Sequence, residues 1–156
     1  GSSLHDKLML LGAETLISAL PDIAAQTNDG VVQDEADTCY ASKLTKAEAR
    51  IDWSLSATEI QRAIRAYNSW PVAYCVYEKN NKPANLRLWQ AEVIMQDAAS
   101  VDIAVGTVLA ESADTGIDVV TGEQVLRIVQ LQAEGKRKMS VSDFLNANSL
   151  LGQRLK

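Results

Sequence analysis

The feature that most constrains this chain is a change of hydrophobic period at Pro71. Before it, Ile60, Ala63, Ile64 and Tyr67 recur at i, i+3, i+4 and i+7, the spacing of one buried helix face. Ser56-Ala57-Thr58-Glu59 opens that helix as a capping box, with Leu55 and Ile60 placed as a hydrophobic staple. Pro71 ends any continuation. After it, residues 72–78 and 86–94 alternate or are rich in β-branched and aromatic residues, and Asn80-Asn81-Lys82-Pro83 between them reads as a hairpin loop. Residues 106–110, 117–121 and 125–131 are further short strands, separated by Thr115-Gly116 and Thr121-Gly122-Glu123. Five short strands behind one helix predict a small closed or nearly closed barrel. Ser140-Val141-Ser142-Asp143 caps a last helix, with Met139 and Phe144 as its staple, and residues 149–156 read as a loose tail.

The first third of the chain has another character. Residues 4–25 read as two helical pieces broken at Gly12, and Leu16, Ile17, Leu20, Ile23 and Ala24 make an apolar stripe on the second. Pro21 falls inside that pattern and predicts a kink or a new start. From Gln26 to Leu44 the periodicity is lost, and the Asn28-Asp29-Gly30 turn and the acidic residues after it read as an extended linker. The expected organisation is mainly β with flanking helices: a helical segment at 1–25, a linker at 26–45, and an OB-like small β-barrel domain at 46–156. An apolar stripe without a sheet to cover seeks other cover, which predicts packing on the barrel or self-association with another copy of the chain.

Charge and residue usage narrow the function. The net charge is −5, against the usual basic balance of a nucleic-acid binder. The acid is concentrated early, however: residues 1–50 carry a balance of −4 and residues 51–156 only −1, which leaves room for a local basic patch. No apolar stretch approaches the ~20 residues of a membrane-spanning helix, so no membrane partner is expected. Cys39 and Cys75 have no metal-ligand spacing to each other or to the single histidine, and free thiols are the expectation. His5 lies on the first helical piece, before any barrel, with no geometry for a base evident, Glu59 is taken up by the cap, and Asp52 reads as a hydrogen-bond acceptor beside Trp53. The eight glycines are scattered, so no phosphate-cradling loop follows a strand. No catalytic residue, no cofactor site and no metal site is expected in this stretch.

The cations carry more signal. Arg62 and Arg65 are three apart and share one face of the capped helix. Lys136-Arg137-Lys138 is a compact run before the last cap, and Lys43, Lys46 and Arg50 line the end of the linker. Folded onto one side, they would form a stripe that tracks a phosphate backbone; dispersed, they are solvated charges. Trp53, Trp70, Tyr74, Tyr77 and Trp89 are able to stack bases, but the tryptophans sit at edges of apolar runs and read better as core.

Ala49-Arg50-Ile51-Asp52-Trp53 and Ile64-Arg65-Ala66-Tyr67-Asn68-Ser69-Trp70-Pro71 closely resemble the opening of the C-terminal domain of the methionyl-tRNA formyltransferase family. Residues 3–8 and the helix after Gly12 resemble the last helical segment of its catalytic domain, and Gln33-Asp34-Glu35 with Tyr40-Ala41-Ser42-Lys43-Leu44 resembles its interdomain linker. Gly106-Thr107-Val108-Leu109, Thr121-Gly122 and the stretch from Leu131 through Lys136-Arg137-Lys138-Met139 to Asn146 follow in the family's order. Two departures stand out: Ser69 where the family commonly has proline, and a more cationic run after Gly135. The resemblance implies an enzyme that moves a formyl group from 10-formyltetrahydrofolate to the amino group of methionine on initiator methionyl-tRNA, in the cytoplasm. It also implies that this chain is the tRNA-binding fragment, expected to be inactive alone. The family's catalytic Asn, His and Asp and its folate pocket belong to the N-terminal domain, and no residue here matches them. The family's basic channel is carried over only to Lys43, Lys46, Arg50, Arg62, Arg65, Lys136, Arg137 and Lys138, as candidates. The alternatives are another formyltransferase, acting on an amino-sugar nucleotide or of the formyltetrahydrofolate type, and a free-standing OB-like binding module.

Overall fold

The computed structural model describes residues 1–95 and 103–156. The chain divides into two units, Gly1–Leu44 and Thr45–Lys156. The first is dominated by α1 (Ser2–Ala24), one continuous helix that passes through both Gly12 and Pro21. This corrects the expected break at Gly12 and the new start at Pro21. A glycine in a helix interior costs about 1 kcal/mol, which the leucines and alanines around Gly12 offset. Pro21 lies in the last turn, where its missing N–H forfeits a single bond. The helix then ends in a Schellman turn. Gln26 takes a positive φ of 57°, and the Thr27 and Gln26 amides donate to the Asp22 and Ile23 carbonyls. Residues beyond it to Leu44 carry no helix or strand apart from one short 3₁₀ turn (Glu35–Asp37) whose Ala36 amide donates to the Asp34 carboxylate.

The second unit opens with a 3₁₀ turn (Ala47–Ala49), followed by α2 (Ala57–Ala66). The capping box forms as read: the Glu59 amide donates to Ser56 Oγ, and the Ser56 amide donates to Glu59 Oε2. A serine N-cap of this kind is worth about 1 kcal/mol. Ile60 and Ile64 point into the core, and Arg62 and Arg65 point to solvent.

Six strands follow among the described residues: β1 (Tyr74–Lys79), β2 (Lys82–Ile94), β3 (Val108–Ser112), β4 (Gly116–Val120), β5 (Val125–Ala133) and β6 (Met139–Ser140). All pairings between them are antiparallel, in the order β1-β2-β5-β4-β3. β5 is the hub. β2 runs along one of its edges, while β4 and the two-residue β6 share the other. The β1–β2 connection is tighter than the expected four-residue loop. Asn80 and Asn81 both take positive φ, and Lys79 already faces Lys82, which makes a two-residue hairpin turn of the type that suits twisted strands.

The last helix, α3 (Val141–Leu145), starts at Ser140, whose Oγ accepts from the Asp143 amide. It buries Phe144, which meets Tyr77 edge to face at 6.4 Å between ring centroids. The tail is not loose, contrary to expectation. Leu150 and Leu155 are fully buried. Lys156 and Val76 exchange both backbone hydrogen bonds, at 2.7 and 2.9 Å. The Leu155 amide donates to the Gly106 carbonyl, and the Val108 amide to that of Gln153. The tail thus joins β1 to the start of β3, the two edges of the curled sheet, and gives it an OB-like barrel form. Two leucines spaced five apart carry no periodicity of their own, so only the unpaired edges reveal what the tail covers.

The interior holds Leu86, Leu88, Ile117, Leu126, Ile128 and Leu131 from the strands, with Trp53 in the same core cluster. Gly122 is required by a close approach: a Cβ there would collide with the carbonyl of Ser54, at the point where residues 54–57 run beside residues 122–123. Both cysteines are free thiols; Cys39 is exposed, and burial pushes the Cys75 thiol up to about 12. No helix among the described residues is long and apolar enough to cross a membrane.

Candidate nucleic-acid interface

The cationic run sits at the tip of the β5–β6 hairpin. β5 ends at Ala133, Gly135 turns the chain at a φ of 70°, and the Lys136 amide donates to the Ala133 carbonyl. Lys136, Arg137 and Lys138 are all exposed. Their anchor is Trp89, which stands where the β2–β5 register shifts between Leu88 and Gln90, so that it opposes no β5 residue. Trp89 Nε1 donates to Gln132 Oε1 at 3.1 Å, and Gln132 Nε2 donates to the Lys136 carbonyl at 2.7 Å. Lys138 Nζ lies 4.9 Å from the centre of the Trp89 ring, within cation–π range. Asn68, just past α2, donates from Nδ2 to the Trp89 carbonyl. A half-buried aromatic at a bulge thus holds a loop whose own charges would push it open.

Next to this hairpin is a cleft of about 310 Å³, lined by Lys46, Pro71, Tyr74, Asn85, Arg87, Gln132, Ala133, Glu134 and Gly135. Its floor is a cross-strand row in which Tyr74 faces Arg87 and Arg87 faces Gln132. Residues directly opposite share a face of the sheet, and their chain neighbours Cys75, Leu86 and Leu131 point into the core. Glu134, the carboxylate of the lining, accepts from the Asn85 amide at 3.0 Å, leaving two cations against one held anion.

The structure therefore distributes the candidates unevenly. Lys46 lines the cleft, and Lys136, Arg137 and Lys138 continue from its Gly135 wall. Arg50 bridges to Tyr74 through its backbone, but lines a second, more open cleft with Arg154 and Lys156. Arg62 and Arg65 stand on the solvent side of α2, outside both linings. Lys43 belongs to the N-terminal unit, where it is exposed. Arg87 was missed because it is a lone cation in a strand; the alternation of Leu86-Arg87-Leu88 was the signal that it faces outward. Arg127 is a further cation, but Asp118 binds it through two hydrogen bonds of 2.7 and 2.8 Å, which raise its pKa.

Asp52 and Glu59 are engaged locally. The Ser54 hydroxyl and amide both donate to Asp52 Oδ1, and the Ser56 hydroxyl and amide to Glu59 Oε2. In each case the hydroxyl's bond, then the amide's, holds the carboxyl below its ordinary range. Of the tryptophans, Trp53 is core as expected, whereas Trp70 is 56% exposed. Trp70 lies in the turn between α2 and β1, beyond the face that α2 buries. No group of three or more metal-ligating side chains occurs among the described residues.

The family described as formyl transferase, C-terminal domain, matches residues 43–149. The chain belongs to that family. This formyl transferase C-terminal domain is 46% identical over 154 residues to a methionyl-tRNA formyltransferase of Methylococcus capsulatus. The match covers 99% of the chain and 47% of that relative, so the chain spans about half the relative's length. In fold, the formyl transferase C-terminal domain is similar to part of HypX from Aquifex aeolicus, solved in complex with tetrahydrofolic acid. The TM-score is 0.58 at 19% identity, covering 85% of this chain and 22% of that one. A variant of HypX matches at a TM-score of 0.59, also at 19% identity, covering 86% and 23%.

Proposed function

We propose that this domain is the tRNA-binding half of a methionyl-tRNA formyltransferase that acts in the cytoplasm. The observation that carries the reading is 46% identity to an enzyme of that name along nearly the whole chain. The hairpin of Lys136, Arg137 and Lys138, braced by Trp89, supports it as a place to grip phosphates. In this reading the substrate is initiator methionyl-tRNA. The formyl donor, 10-formyltetrahydrofolate, is held with the catalytic residues by the part of such an enzyme that this chain does not span. The chain alone binds RNA without transferring a formyl group.

Binding of this kind is mostly electrostatic, because each neutralised phosphate releases counterions. Replacing Lys136, Arg137 and Lys138 together with glutamate reverses three exposed charges. The expected result is at least a tenfold loss of affinity for methionyl-tRNA, with the circular dichroism spectrum unchanged. Equal affinity in the reversed variant would remove this hairpin from the interface.

The exposed apolar side chains of α1 support a second element of the proposal. Leu4, Leu8, Leu11, Leu16, Ile17 and Leu20 are each more than half exposed, and they lie on more than one side of the helix. Apolar surface of this extent with no core beneath it seeks cover. In a solution of this chain alone the cover is α1 of another copy.

A further inference from the structure

We propose that the cleft between Lys46 and Gly135 holds one unstacked nucleotide of a bound RNA, with its base against Tyr74 and its phosphate on Arg87 and Lys46. The inference rests on the reading of this domain as an RNA binder and assigns a subsite to it. Size is the first argument. A cavity of about 310 Å³ is at the small end of ligand sites and far larger than one phosphate, which would leave most of it to water. Lining chemistry is the second. Tyr74 and Pro71 offer flat apolar surface, and Arg87 offers the planar fork that pairs with phosphate oxygens. The Asn85 side-chain amide, distinct from the backbone N–H that Glu134 holds, is able to donate to and accept from a base edge.

Rigidity is the third argument. Tyr74 and Arg87 are fixed opposite each other by the β1–β2 register, and the Tyr74 carbonyl accepts from the Ile51 amide at 2.9 Å. Glu134, the carboxylate that would repel a phosphate, is turned to the Asn85 amide. Continuity is the fourth. The Gly135 wall leads directly into Lys136, Arg137 and Lys138, so the phosphates that follow the bound nucleotide meet the cationic hairpin. Paired bases in an A-form stem are not available to an aromatic ring, so the nucleotide is one from an end, a bulge or a loop.

The test uses this chain, adenosine 5′-monophosphate and inorganic phosphate as probes, followed by amide chemical shifts. The nucleotide is expected to shift resonances of Lys46, Tyr74, Asn85 and Arg87, and phosphate to shift those of Lys46 and Arg87 only, more weakly. Arg87→Gln, on the exposed face, is expected to weaken nucleotide binding at least fivefold, and Tyr74→Leu about tenfold. Rescue of most of the loss by Tyr74→Phe separates stacking from simple structural damage. Nucleotide shifts elsewhere, or none, or equal binding of nucleotide and phosphate, would overturn the inference. If methionyl-tRNA still binds and depends on Lys136, Arg137 and Lys138, the subsite alone has failed. If the nucleotide binds here and tRNA does not, the subsite stands and the proposed function falls.

Discussion

At the scale of single residues, the local chemistry of Glu59 makes a pH-dependent claim. Its carboxylate accepts from both the Ser56 hydroxyl and amide, which places its folded pKa below the ordinary 4.5. A group whose folded value is depressed contributes stability that is fully present above its unfolded value and is lost as pH falls through the folded one. Stability should therefore decline on acidification below about pH 4.5, in step with α2. Glu59→Gln should flatten that part of the profile in urea titrations from pH 6 to pH 3. An identical profile in the variant would mean that the cap is not titrating. The same scale shows what sequence reading reaches. The capping box and the place of the β1–β2 hairpin were legible because both are set by neighbours within three residues, although the loop was read two residues too long. Arg87 was not, because its relevance comes from Tyr74 and Gln132 on other strands.

Among the elements, α1 is the one whose surface demands an explanation. Its turn-by-turn helicity is local and was readable, whereas the expected break at Gly12 gave single-residue propensity too much weight against the summed preference of a long segment. With no buried residue, α1 is not stabilised by a core of its own unit. Self-association predicts a light-scattering mass that rises toward twice that of the monomer with concentration. Leu8→Glu with Ile17→Glu should return it to the monomer. A monomer at all concentrations, with rapid amide exchange across residues 13–25, would refute the pairing. The β5–β6 hairpin shows the opposite case. The cationic run was obvious in the sequence, but its brace was not, because Trp89 lies 47 residues before Lys136 and read as core.

For the whole molecule, barrel form depends on the tail, the part of the fold least legible in the sequence. Its partners, Val76 and Gly106–Val108, lie about 45 to 80 residues away, and nothing local announces them. Burying Leu150 and Leu155 is worth about 1.5–3 kcal/mol each, against a total stability of roughly 5–15 kcal/mol for a domain. Deleting residues 150–156 should therefore lower the urea midpoint by a third or more; an unchanged midpoint would show that the sheet holds its form without them. The family was legible because its motifs recur in order along the chain, and the match over residues 43–149 bears this out.

The central claim is that this domain grips tRNA through phosphate contacts despite a net charge of −5. Affinity for methionyl-tRNA measured across a series of salt concentrations tests it most directly. If about four phosphates are engaged, log K falls against log salt with a slope of roughly −3.6. A slope near zero, or no binding at low salt, would contradict the account.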